Sequence, residues 1–174
     1  DRGPYVRYGQ GCLASGRSTP ATMAAYVAMN ATTRMWTVSA TCSYLGRSQP
    51  AVWLIGTSDR QWLGVPLPID LSGMGSTGCK LYTSVLFTVG GATDSNGSLS
   101  ITAATLPFDA ALAGAVFFSQ VFSTDTGPSP LVFTEGSRSL FVQASVARVF
   151  ASGTDQATSG TLGYPFGLVT RFTN

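Results

Sequence analysis

The chain has 174 residues, 44% of them hydrophobic and only 10% charged, with a net charge of +2 and no histidine. That length suits one domain with a sizeable core. Nine Arg and one Lys, scattered without a basic run, lack the footprint of a nucleic-acid binder, and the missing histidine removes every Ser-His or Cys-His pair, the usual general base and the usual metal ligand.

The apolar residues fall in short runs rich in Val, Phe, Tyr, Trp and Thr, which fit a pleated, half-buried surface. Taken in chain order, strands are predicted over 24–29, 34–40, 51–57, 79–89, 98–103, 114–122, 129–134, 138–150 and 166–172. Turn signals such as NATT, LGRSQP, ATDSNGS and TEGS separate them. Between the fifth and sixth strands, TLPFDAALAG (105–114) predicts about one helical turn, with Pro107 near its start and Gly114 at its end. Segment 151–163 is rich in Gly, Ser and Thr without periodicity and reads as a linker. The expected architecture is all-β, an antiparallel β-sandwich or jelly roll over 1–150. A linker and terminal strand extension follow over 151–174.

Ser and Thr supply roughly a quarter of the chain, against ordinary usage in which charge alone is about 25%. Such a neutral surface suits an extracellular or shell protein better than a cytosolic enzyme. The chain starts at Asp1 without Met, so we expect a mature form whose signal peptide has been removed, outside the cell or on its surface. No apolar run approaches the ~18 residues of a membrane-spanning helix.

The chemistry-bearing residues are few. Eight acids are scattered, and Asp125 with Glu135 is the one pair that flanks a single loop, as a glycosidase would need. Most of the acids, Asp59, Asp94, Asp125 and Asp155 among them, sit in turn contexts where Asp caps its own backbone. TDSNGS lacks the spacing and terminal Glu of a calcium loop. Trp36 and Trp53 lie in strands and read as core, whereas Trp62 follows a turn and is the candidate sugar-stacking platform. Asn30 and Asn96 match the glycosylation acceptor pattern, although Asn96-Gly97 is also a hairpin-turn signal. No metal, no cofactor and no catalytic residue is expected. Three cysteines, Cys12, Cys42 and Cys79, suggest one bridge and one residue left over. Cys12 and Cys79 each follow a glycine.

Four segments occur in order: YGQGCLASGRSTP (8–20), PAVWLIGTS (50–58), VPLPIDLSGMGSTGCKLYTS (65–84) and LPFDAALAGAVFFSQVF (106–122). Together they resemble a family of secreted all-β domains from planctomycetes and myxobacteria. Its pattern is Gly-x-Gly-Cys, Pro-Leu-x-Leu, Gly-Cys-x-Leu-x-x-Ser, then Leu-x-Gly-x-x-Phe-x-x-Gln. The resemblance covers residues 8 to about 143. It implies an extracellular all-β domain, supports a Cys12–Cys79 disulfide and gives Gln120 a structural hydrogen-bonding role, and no enzymatic activity follows from it. Cys42 is extra to the pattern and is expected to be a free, buried thiol.

The chain departs from that pattern by continuing to YPFGLVTRFTN. There Phe166, Leu168, Thr170 and Phe172 alternate with Gly167, Val169, Arg171 and Thr173, a strand signature. Tyr164, Phe166, Leu168, Val169 and Phe172 are therefore the expected assembly strand, with Tyr5, Val6 and Tyr8 near the other end as a second donor candidate. A strand donated head to tail gives an open filament unless the rotation closes. At the level of design this resembles the donor-strand fibres of bacterial pili. The expected function is a homopolymeric fibre subunit. The alternative is a secreted carbohydrate-binding or adhesive module, with glycans as partners.

Overall fold

The structure, a computed structural model, describes residues 4–30, 32–141, 148–150 and 161–163. The fold is all-β, and every strand pairing is antiparallel. In chain order the strands are β1 (Tyr5–Tyr8), β2 (Thr22–Asn30), β3 (Met35–Ser43), β4 (Pro50–Gly56), β5 (Gln61–Trp62), β6 (Val65–Pro66), β7 (Ile69–Asp70) and β8 (Lys80–Leu81). Then come β9 (Phe87–Ala92), β10 (Leu99–Pro107), β11 (Val116–Thr124), β12 (Leu131–Phe133), β13 (Gly136–Leu140), β14 (Arg148–Phe150) and β15 (Thr161–Gly163).

Two sheets form a sandwich. The smaller has the order β10-β3-β2. Its hairpin runs without a break from Thr22 opposite Ser43 to Asn30 opposite Met35. The period-2 pattern turns Met23, Ala25, Val27, Trp36, Val38, Ala40 and Cys42 inward, and all seven are buried. The larger sheet has the order β1-β13-β11-β4-β9, with β12 beside the far end of β11. A single core fills the space between them, and the expected core residues Trp36 and Trp53 are both fully buried within it. Trp36 meets Phe108 and Phe141 edge-on, with ring centroids 5.0 Å away in each case.

Three expectations change in detail. The strand predicted over 79–89 breaks into β8 and β9. Residues between them are pulled onto the outer face of the larger sheet, where the Tyr82 N–H donates to the Gln120 side chain. No helix forms within 105–114. Residues 105–107 finish β10, and the Asp109 carboxylate accepts the Ala111 N–H at 2.8 Å to make a tight turn. The one helical element among the described residues is a 3-10 turn, Ser72–Met74. Finally, the strand predicted over 138–150 stops at Leu140. β14 pairs with β15 across residue 150, the expected domain boundary.

Candidate functional site

Residues 57–86 leave the larger sheet after β4 and return as β9. Two fixings of this excursion to the sandwich stand out beside the hydrogen bonds of Tyr82 with the Tyr8 hydroxyl and the Gln10 N–H. One is the Cys12–Cys79 disulfide, with S–S 1.98 Å and Cα–Cα 5.0 Å. Cys12 is itself placed by backbone bonds to Phe133 (2.9 Å) and Ala21 (3.0 Å). The preceding glycine is required there, since a Cβ on Gly11 would stand 1.9 Å from the Ala21 carbonyl oxygen. The other fixing is Gln120, fully buried on β11. Its Oε1 accepts the Tyr82 N–H (2.9 Å), while its Nε2 donates to the carbonyls of Lys80 (2.8 Å) and Thr134 (2.7 Å). A buried side-chain amide with three partners is a structural clamp.

Cys42 is a free, buried thiol. Burial, and then the Glu135 charge, push its pKa far above the usual thiol range. We expect it to resist iodoacetamide in the native protein at neutral pH and to react stoichiometrically once the chain is unfolded. Mass spectrometry reads this directly, and native labelling would overturn the placement.

Among the described residues five acids, Asp70, Asp94, Asp109, Asp125 and Glu135, accept hydrogen bonds. Asp125 accepts the Ser15 N–H at 2.6 Å and the Thr126 N–H at 2.9 Å, so it joins two loops as well as capping its own turn. Glu135 accepts from the Arg7 guanidinium at 3.2 Å and from the Met23 N–H at 3.3 Å. The two carboxylates thus serve different segments. Asp94, in the TDSNGS segment, accepts the N–H groups of Asn96 and Ser98, both at 2.8 Å, which makes that segment a turn. Hydrogen bonds from Ser72, and then the nearby Lys80 charge, hold Asp70 below the usual carboxylate range. Among the described residues no group of three or more His, Cys, Asp or Glu could hold a metal.

Of the two glycosylation candidates, Asn30 uses its side-chain oxygen to accept the N–H groups of Thr32 and Thr33, both at 3.0 Å. Asn96 is exposed, and its carbonyl accepts from Arg17. Trp62 is half-buried and packs against the core from the β5–β6 hairpin, and the exposed large side chain at the hairpin tip is that of Leu63. A groove of about 170 Å³ runs beside Tyr5, Val6, Val116 and Leu140. That volume is below the several hundred Å³ of a drug-sized ligand site.

Tyr5, Val6 and Tyr8 lie on β1, at the edge of their own chain's larger sheet, paired with Ser139, Arg138 and Gly136. The Tyr8 ring packs edge-on against Tyr82 and Phe118. The other expected assembly residues, Tyr164, Phe166, Leu168, Val169 and Phe172, lie outside the described residues, as does Asp155.

Among the described residues β1, β2, β9 and β10 end the two sheets, and their protection differs, while β12, paired with β11 alone, is met by Cys12, whose N–H donates to the Phe133 carbonyl. β1 is short, follows Pro4 and carries Arg7, bound to Glu135. β2 is long and uncharged, but the Met23 N–H is taken by Glu135 and the Ala25 carbonyl by the Ser139 hydroxyl at 2.7 Å. β10 has a register break between Thr102 and Ala104 and ends in Pro107. Such charges, caps, bulges and prolines are how edges avoid unwanted pairing. β9 has no charge, cap or proline, for Leu81 to Thr93 contains neither charge nor proline, and its one irregularity, a bulge at Leu86, lies where the strand begins. Sequence reading missed this contrast, because an edge is defined by strand order.

The fold and its cross-links define a small disulfide-bonded β-sandwich. No protein-family model, no curated protein and no solved structure matches the chain. No helix among the described residues is long and apolar enough to cross a membrane.

Proposed function

We propose that the protein is a structural subunit of an extracellular fibre, joined head to tail by a terminal strand given to the next copy. The observation that carries this reading is closure. Strands β1 to β13, within residues 5–140, already complete both sheets around one core, with the disulfide inside that span. The sequence at 164–174 carries a further strand signature beyond that span. A further apolar strand needs a sheet edge, and addition to another copy's edge gives one defined interface.

Three further features support the reading. A disulfide suits an oxidising, extracellular compartment. The motif order that resembles secreted β-domains points to the same place. Asp125 and Glu135, the one acid pair flanking a single loop, each bond to backbone of a different segment. The alternative, a carbohydrate-binding or adhesive module, rests on Trp62, and its mark is saturable sugar binding by a monomer, lost in Trp62→Ala.

The test is assembly of the purified chain with and without residues 151–174, followed by light scattering and negative-stain microscopy. We expect filaments from the intact chain and a folded monomer from the truncated one. A compact intact monomer whose truncation unfolds would make the tail a core strand and sink the fibre reading.

A further inference from the structure

We infer that the strand is received on the free edge of β9, the occupant being residues 164–174 of a second copy. This rests on the fibre reading above and adds the acceptor to it.

The backbone geometry shows what β9 offers. The Thr93 N–H donates to the Gln49 carbonyl at 2.9 Å, toward the β4 side. By the two-residue alternation of a strand, Phe87, Val89 and Gly91 turn their backbone groups to β4 as well. Leu86 also donates to Ile55, the residue opposite Phe87, so it is the extra residue of a bulge where the strand begins. Thr88, Gly90 and Ala92 therefore turn their N–H and C=O groups away from β4. Among the described residues β9 pairs only with β4.

The side chains agree with an added strand. A Cβ on Gly91 would stand 3.1 Å from Ile101 and 3.2 Å from Leu99, so Phe87, Val89 and Gly91 share the face that looks into the sandwich. Phe87 on that inner face is nonetheless 49% exposed, and Leu86 beside it is 70% exposed. An inward aromatic left open gives an added strand an apolar surface to cover. The sequence at 164–174 alternates so that Phe166, Leu168, Thr170 and Phe172 share one side, which would extend the inner face over Phe87. The opposite side of β9 presents no barrier, since nothing lies within 4 Å of a Cβ placed on Gly90. The donor's one charge, Arg171, meets no like charge along Leu81 to Thr93. The other three edges are short, capped or interrupted.

The test uses the full chain. Thr88→Pro removes one outward N–H and leaves the β4 ladder intact, the position in which an edge strand tolerates proline. We expect wild-type fibres in which the Thr88, Gly90 and Ala92 amides exchange at least about tenfold more slowly than in the monomer. We expect Thr88→Pro to keep the native near-ultraviolet spectrum and remain monomeric. Unprotected amides in wild-type fibres, or fibres of normal length from Thr88→Pro, would overturn β9 as acceptor while leaving the fibre reading standing. Slow exchange at these three amides already in the monomer would mean the chain covers its own edge, which overturns the second copy as occupant. A wild type that never assembles overturns both readings. Should Thr88→Pro not fold, the amide measurement on wild type decides alone.

Discussion

Gln120→Leu is expected to lower the folding stability by about 4 kcal/mol, with the fold retained. Leucine has a similar volume and suits the apolar surroundings, so the loss measures the hydrogen bonds. Three backbone groups lose their partner: the Tyr82 N–H and the carbonyls of Lys80 and Thr134. A buried polar group left unsatisfied costs about 1–3 kcal/mol, and the sum is reduced where the covering loop can lift and admit water. Lys80 and Tyr82 lie on that loop, whereas Thr134 lies between β12 and β13 and has less freedom. Urea unfolding should show the drop as a lower midpoint at unchanged slope. A loss under about 1 kcal/mol would mean that the clamp adds nothing beyond filling space.

The second large effect is expected from the disulfide. Replacing Cys12 and Cys79 together with alanine avoids leaving one half of the bridge as an unpaired thiol. The bridge closes a loop of sequence separation 67. The chain-entropy model puts its contribution at about 4 kcal/mol for a loop of that size. Denaturant unfolding of the double variant measures the loss, and full stability without the bridge would refute this reading. Cys12–Cys79 and Gln120 hold the same excursion, so their losses should be less than additive: once one fixing is gone, the loop lifts more easily and the other has less to hold. A double-mutant cycle with Gln120→Leu in the bridged and bridgeless proteins tests that coupling.

Much of the sandwich is legible in local pattern. The alternation in Thr22–Asn30 and Met35–Ser43 states both the strand and its buried face, because the period of two is a property of the extended backbone itself. Trp36 and Trp53 read as core for the same reason. The Asp-rich turns, the Asn96-Gly97 turn and the low charge are likewise local facts, and the absence of histidine is a matter of composition. Gln120 stands out in an apolar strand, but the family resemblance suggested its role, and the sequence names none of its partners.

What only the tertiary structure decided depends on residues distant along the chain. The break within 79–89 is invisible in its apolar pattern, because the cause is a hydrogen bond from Tyr82 to a side chain on β11. Glu135 reads as half of an acid pair until Arg7 and the Met23 N–H are brought beside it. The open edge is the clearest case. Phe87–Ala92 is sequence for a half-buried strand, and β2 has an equally uncharged one, yet Glu135 and Ser139 cap β2 while nothing caps β9. Alternation is fixed by the geometry of one backbone, whereas strand order and edge protection are set by pairings between residues far apart in the chain.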